Sequence, residues 1–366
     1  MSTWRDARNI LAVRLDNIGD VVMLGPALRA IKETLPTARI TLLASQAGAT
    51  AATLLPWVDD VMVWRPVWQD VGNRIPFEPV REVKQVAELA ARRFDAALIF
   101  TSFSQTPHVP GYACYLAGIP LRAGESKEFG GSTLTSELRS GPDEMHQAER
   151  NLRLVEHLGF GARDRDLAVS ISDEARASAT QMLLRAGVRP DAPYILLHPG
   201  ASAQARRYPA ERYGAVACQL AALGWEVIVT GTERERALIE NVIQRAPDAH
   251  LLMGTTSLAE YAALVERAAL VICNDTLPMH LADATRTPEV VLYAGTEYEE
   301  QWRPRATHAR LLRRQTSCQP CYLFDCPIGQ PCLDIPPEEV VQAAETMLAD
   351  TSVRGHDLAR ARGGER

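Results

Sequence analysis

Residues 14–31 read RLDNIGDVVMLGPALRAI and follow directly on the apolar run NILAV at 9–13. The apolar run predicts a strand. Leu24, Leu28, Ile31 and Leu35 then recur at the spacing of one helical face, so the stretch reads strand, turn, helix. A dinucleotide fold places three spaced glycines in such a turn, so that the backbone can approach a pyrophosphate. This turn holds Gly19 alone, and Asp20 follows it at once. A carboxylate there repels phosphate, so the first turn is predicted to serve another group.

The same order of elements repeats outward from this point. RITLLAS, VMVW and FDAALIFT read as further strands, with EPVREVKQVAELAARR and DEMHQAERNLRLVEHLG as helices. Polar, irregular sequence runs from about 162 to 189 around one helix, DEARASATQMLLRAG. A second series then begins with the strands YILLHPG, WEVIVTG, LVICND and EVVLYAG, and with helices at AERYGAVACQLAALG, ERERALIENVIQRA and PMHLADA. Apolar strands without alternation suit a parallel sheet buried on both faces. Two such series predict an α/β chain of two Rossmann-like, doubly wound domains facing a central cleft. The expected bounds are 1–167 and 168–335, followed by a helix and polar tail at 336–366.

Of 366 residues, 46% are hydrophobic and 23% charged, which is ordinary for a globular chain with two full cores. A net charge of -6 argues against nucleic acid as the main partner. No run reaches the roughly 18 apolar residues of a membrane helix, and the N-terminus lacks a leader's apolar core, so a cytoplasmic protein is expected. Seven cysteines, an odd number in a chain this long, read as reduced thiols. The tail carries Arg354, Arg360, Arg362 and Arg366; it reads as solvated, with a weaker alternative of contact with anionic lipid.

Ligands of open parallel sheets bind beyond the carboxyl ends of the strands, so the residues just after each strand are the informative ones. Asn17, Gly19 and Asp20 follow the first. Asp20 is explained either as an acid at a helix N-terminus or as a general base for a bound hydroxyl. In HPGASAQARRYP, the small residues Gly200, Ala201 and Ser202 would let N–H groups reach an anion, and Arg206 and Arg207 add positive charge. NDTLPMHLA ends a strand at Asp275 and Thr276 and opens a helix through Leu277 and Pro278, which points free N–H groups at a ligand. Asp275 or Thr276 is the expected cap, and His280 flanks the site. Gly231 ends another strand, and Glu233 beside it would suit ribose hydroxyls or simply start a helix. Cys318, Cys321, Cys326 and Cys332 have the spacing C-x2-C-x4-C-x5-C, which allows four thiolates on zinc or packed thiols. The acids of DRD, Asp164 and Asp166, lie in loop sequence and are discounted as a metal pair.

Taken in this order, the NIGD turn, HPGAS, NDTLPMHLA and the cysteine segment up to Pro337 resemble glycosyltransferase family 9, the heptosyltransferases of the lipopolysaccharide inner core. The resemblance implies a GT-B fold with an N-terminal acceptor domain and a C-terminal donor domain. It implies inverting transfer of a heptose from ADP-heptose, without metal or cofactor, to a lipid-linked or oligosaccharide acceptor. Such an acceptor would bring the protein peripherally to the inner face of the plasma membrane. On these positions Asp20 matches the family's proposed base, Arg206 stands where a lysine is common, and Asp275, Thr276 and His280 match the donor motif. Leu277 and Arg286 replace usual glycines, so the donor pocket is expected to differ. A transferase with another nucleotide sugar and a non-catalytic binding protein of the same fold are the alternatives. A nicotinamide oxidoreductase is disfavoured because no G-x-G-x-x-G follows a predicted strand. TSFSQTPHVPGY and ESKEFGGSTLT are acceptor-side candidates by position and polarity.

Overall fold

The computed structural model describes residues 3–70, 72–102, 104–189, 192–254 and 256–363, with side chains described as far as 350. The chain divides into two compact units, Met1–Ser170 and Ile171–Arg366. The first holds β1 (Asn9–Arg14), β2 (Arg39–Ala44), β3 (Asp60–Val63), β4 (Ala96–Ile99), β5 (Leu121–Ser126) and β6 (Ser136–Arg139). The second holds β7 (Tyr194–His198), β8 (Glu226–Gly231), β9 (His250–Met253), β10 (Leu270–Asn274), β11 (Glu289–Leu292) and β12 (Ala309–Leu312).

Both sheets are wholly parallel and share one topology. The first runs β3-β2-β1-β4-β5-β6, and the second, read from its far edge, runs β9-β8-β7-β10-β11-β12. This is the strand order of the doubly wound nucleotide folds, whose ligands sit where the winding reverses. The reversal falls between β1 and β4 in one unit and between β7 and β10 in the other. Ala12 is therefore paired with both Leu42 and Leu98, and Leu197 with both Ile272 and Val229.

Burial on both faces explains the unbroken apolar strands. Ile10, Leu11 and Ala12 are wholly buried, as are Ile195, Leu196 and Leu197. Each large aliphatic residue removed from water in this way contributes ~1.5–3 kcal/mol. In the second unit Leu197, Val229, Ile272 and Leu292 pack with Val216 and Leu220 from the helix Ala210–Ala222 and with Val340 and Ala344 from Pro337–Gly363. That last helix runs on through most of the stretch expected as a tail; the side chains of its arginines, and Arg366 altogether, lie outside the described residues.

The structure adds β5, β6, β9 and β12 and the helices His108–Leu116 and Leu258–Arg267, which the apolar pattern did not reveal. β6 alternates in burial, and β9 and β12 are only partly buried, so none forms a solid apolar run. The single helix expected from about Asp20 to Leu35 is two, Ile18–Val22 and Gly25–Thr34. Pro26 has no N–H to offer the carbonyl four residues back, so the first helix cannot run through it.

Candidate active site

Asp20 sits in the third position of the helix Ile18–Val22, next to the end of β1. Its Oδ1 accepts from Arg14 Nη2 at 2.8 Å, and its Oδ2 accepts from the Asn17 N–H at 3.1 Å. Asn17 thus contributes through its backbone, and Gly19 is buried within the turn. Arg14 is wholly buried, while the Asp20 side chain keeps 16% of its surface exposed, enough for an incoming hydroxyl to reach it. Arg14 also donates to Ser102 Oγ at 2.9 Å and lies 3.0 Å from Asp16 Oδ2 through Nε. Gln105 Nε2 donates to Asp16 Oδ1 at 2.6 Å. Burial pushes the Asp16 carboxyl above its ordinary range; Asp20 adds to the rise, and Arg14 and Gln105 oppose it. Sequence reading singled out Asp20 but missed Arg14 and Asp16, although both stand in the same quoted stretch.

The two segments expected on the acceptor side are joined by a buried histidine. His108, from the first, lies 2.8 Å from Thr133 Oγ1 through Nδ1 and 2.8 Å from Ser126 Oγ through Nε2. Ser102, Gln105 and His108 therefore link the ends of β1, β4 and β5 along one edge of the sheet. Asp164, from the discounted acid pair, binds Arg29 at 3.0 Å.

In the second unit the hub is Asn274, fully buried at the end of β10. Its amide donates to the carbonyls of Pro199 (2.9 Å) and Gly200 (3.2 Å), and its oxygen accepts from Tyr208 N–H (3.1 Å) and Tyr213 O–H (3.0 Å). One side chain thus fixes the HPG turn against the NDT turn. Arg206 ends a short 3-10 turn; its Nε donates to Thr296 Oγ1 at 3.1 Å and lies 3.8 Å from Asp275 Oδ2, and its Nη2 lies 2.8 Å from Glu297. Arg206 is therefore already paired, not the open cation that the sequence suggested. Asp275 is buried, which raises its carboxyl to about 7 against the opposing pull of Arg206 and the Ala294 N–H, while Glu297 pushes it further up.

The expected cap is absent. Thr276 occupies the N-cap position of the helix Leu277–Thr285 without a side-chain cap bond, and Asp275 accepts instead from Ala294 N–H at 3.3 Å. Leu277 is half-buried at the first helical position, and Pro278 follows in the first turn. His280 is buried with its ring 6.4 Å from that of Trp302. Arg286 caps the opposite end at φ 63°, a left-handed conformation that glycine adopts without strain. Nine helical residues, about 13 Å, separate it from Thr276, so its substitution bears on the helix end and not on the N-terminal turn.

Glycine at 200 has a local cause: a Cβ there would lie 2.0 Å from Glu235 Oε1. The HPG turn faces a carboxylate, which corrects the expectation of an open anion cradle at Gly200. Ser202 remains exposed. Gly231 needs its missing Cβ for Ile239, whose Cδ1 would be 2.6 Å away. Glu233 points outward in an ion pair with Arg236 at 2.6 Å. The acid at the strand ends is instead Glu235, which accepts from Thr232 N–H at 2.8 Å and Oγ1 at 2.7 Å. The spacing Thr232-x-x-Glu235 was the available signal.

The cysteine segment crosses the Arg206 turn. Ala205 N–H donates to Phe324 O at 2.9 Å, and Gln330 Nε2 donates to the carbonyls of Gln204 (2.6 Å) and Arg207 (3.1 Å). Tyr322 N–H reaches Thr296 O at 2.8 Å. Cys318 is exposed, Cys321 and Cys326 are half-buried, and Cys332 is buried; all four are free thiols. Among the described residues no group of three His, Cys, Asp or Glu side chains is arranged to hold a metal ion.

Two like-wound parallel sheets, one in each unit, are the fold of the GT-B glycosyltransferases. The sequence model of glycosyltransferase family 9 (heptosyltransferase) matches residues 88–330, and the chain belongs to that family. It is 22% identical over 364 residues to lipopolysaccharide heptosyltransferase 2 of Salmonella typhimurium, covering 94% of this chain and 99% of that one. The structure of E. coli ADP-heptose lps heptosyltransferase II superposes with a TM-score of 0.74 at 21% identity, covering 94% of this chain and 99% of that one. E. coli heptosyltransferase WaaC, solved with ADP-2-deoxy-2-fluoro heptose, superposes with a TM-score of 0.65 at 17% identity, covering 92% and 99%.

Proposed function

We propose that this glycosyltransferase moves a heptose, or a closely related sugar, from an ADP-sugar to a hydroxyl of a lipopolysaccharide-core or similar glycan, with inversion and without a metal. The carrying observation is Asp20, a partly exposed carboxylate held by Arg14 and Asn17 at the winding reversal of the first sheet. Asp20 takes the acceptor's proton as that oxygen bonds to the anomeric carbon. The bond to the diphosphate breaks with its electron pair, and ADP departs. A single displacement inverts the centre.

The donor belongs to the second unit. Arg206, Ser202, Thr276 and the N–H groups of the first turn at Leu277 and beyond would receive the diphosphate, which supplies the positive field that other transferases take from a cation. Arg206 must exchange part of its pairing with Glu297 for phosphate oxygen. Gly200 and Gly231 make room for Glu235 and Ile239, and Glu235, with Glu233 outside it, would meet the ribose hydroxyls. Asp275 and His280 are buried beside the start of the helix Leu277–Thr285. Among the described residues no helix is long and apolar enough to cross a membrane; a lipid-linked acceptor would be met peripherally, at the inner face of the cytoplasmic membrane.

Unfolding measured with ADP, with ADP-heptose and with UDP- or GDP-sugars tests the donor. ADP at 100 times its dissociation constant should add ~2.7 kcal/mol, with or without EDTA. A response to another nucleotide alone would move the donor assignment, as Leu277 in the place of a usual glycine allows. A lack of response to all of them would favour a binding protein. For the chemistry, Asp20→Asn should lose transfer by ~10²-fold or more and keep ADP affinity. Near-normal turnover in that variant removes Asp20 from the mechanism, and retention of configuration in the product removes the single displacement.

A further inference from the structure

Arg14 is fully buried and meets two carboxylates, Asp20 at 2.8 Å and Asp16 at 3.0 Å. Its Nη1 is buried and has no hydrogen-bond partner among the described residues. A buried cation whose Nε and Nη1 both make no hydrogen bond among the described residues is not placed there by its hydrogen bonds alone. It is held by the two anions. Ser102 Oγ and Gln105 Nε2, both from the loop after β4, close the cluster at 2.9 Å and 2.6 Å. The turn that follows β2 adds Ser45, whose Oγ donates to the Asp16 carbonyl at 2.7 Å, and the neighbouring 3-10 turn Gly48–Leu54 carries no charge. Among the described residues, the charged groups that interact with Asp20 are Arg14 and Asp16.

We infer that Asp16 and Arg14 are positioning residues for Asp20, the three forming one ionic unit that both aims the base and sets how readily it takes a proton. The inference rests on the role proposed above for Asp20. Arg14 fixes the carboxylate through Nη2, but a cation so close also weakens a base. Asp16 offsets that effect. With Asp16 ionised the unit carries -1 before the acceptor's proton arrives and zero afterwards. With Asp16 neutral it would carry zero and then +1, a net cation in a buried setting, which is the costlier end state. Burial pushes the Asp16 carboxyl up while Arg14 and Gln105 hold it down, and the hydrogen bond from Gln105 favours its charged form.

The test compares the full-length protein with Asp16→Asn and Arg14→Lys, using two readouts. The first follows the aspartate side-chain carboxyl signals by carbon NMR through a pH titration, without donor or acceptor. The second is the pH profile of kcat/KM for transfer from ADP-heptose to a deacylated inner-core oligosaccharide. In Asp16→Asn the Asp20 titration and the acid limb of the profile should both move down by about one unit, with kcat lower by ~10-fold. Arg14→Lys keeps the charge but not the planar fork; its limb should stay in place while kcat falls and KM holds. An Asp20 titration unmoved in a folded Asp16→Asn protein overturns the inference, whatever the activity. Absence of transfer by the wild type, with the NMR shift present, would instead count against the ADP-heptose assignment and leave the ionic unit standing.

Discussion

Asp275 shows how burial and charge act on one group. Burial raises its carboxyl from 3.8 to about 7 by disfavouring the charged form. Between those values the folded chain keeps a proton that the unfolded chain releases, so this residue lowers stability as pH rises through the window, by about 1.4 kcal/mol per unit of displacement. Asp275→Asn should therefore gain Tm over the wild type progressively from pH 4 to pH 7 and hold the gain above it; parallel Tm profiles would refute this. At the proposed donor site ADP would bring further negative charge to the same place and should take up a proton at pH 8, seen as a buffer-dependent enthalpy in titration calorimetry. Arg206→Ala should weaken ADP binding by ~10-fold or more, checked by the same titration, and leave the acceptor KM in place. At this scale the sequence was legible where position follows chain order: Asp20 and Asp275 stand just beyond β1 and β10, as the pattern predicts. It was silent where partners arrive from afar. Glu297 on Arg206 lies 91 positions away and Ser102 on Arg14 lies 88, and no spacing rule joins either pair.

At the scale of elements, the turn after β7 and the turn after β10 behave as one piece because Asn274 bonds four groups across them. Asn274→Ala strands two carbonyls, an N–H and a hydroxyl in a dry interior, and should cost ~3 kcal/mol by denaturant midpoint. ADP binding should weaken with it, since the Arg206 turn loses its backing. Strands buried on both faces could be read directly, since β1, β2, β4, β7, β8, β10 and β11 are largely apolar and mostly buried. The edge strands β6, β9 and β12 could not, because exposed positions break the run. The divided first helix shows a breaker outweighing periodicity: the apolar spacing continues past Pro26 although the hydrogen bonds do not.

At the scale of the molecule, each unit carries its own sheet and core, so ligand effects should separate in sequence. Hydrogen exchange with saturating ADP should slow amides of β7, β10 and the helix Leu277–Thr285 and leave β1, β4 and β5 unchanged; protection confined to the first unit would reverse the donor assignment. The repeated winding was legible because two series of apolar strands recur in one order, whereas the added edge strands emerged only with the fold. The units also differ in when they can be finished during synthesis. The first sheet is complete in sequence by Arg139, soon after its last strand leaves the ribosome. The Arg206 turn must wait for Phe324 and Gln330, more than a hundred residues downstream, before its carbonyls and N–H groups find their partners. A nascent chain can thus shape the half proposed to activate the acceptor hydroxyl while the half proposed to hold the nucleotide is still unfinished, which would delay donor capture until nearly the whole polypeptide has been made.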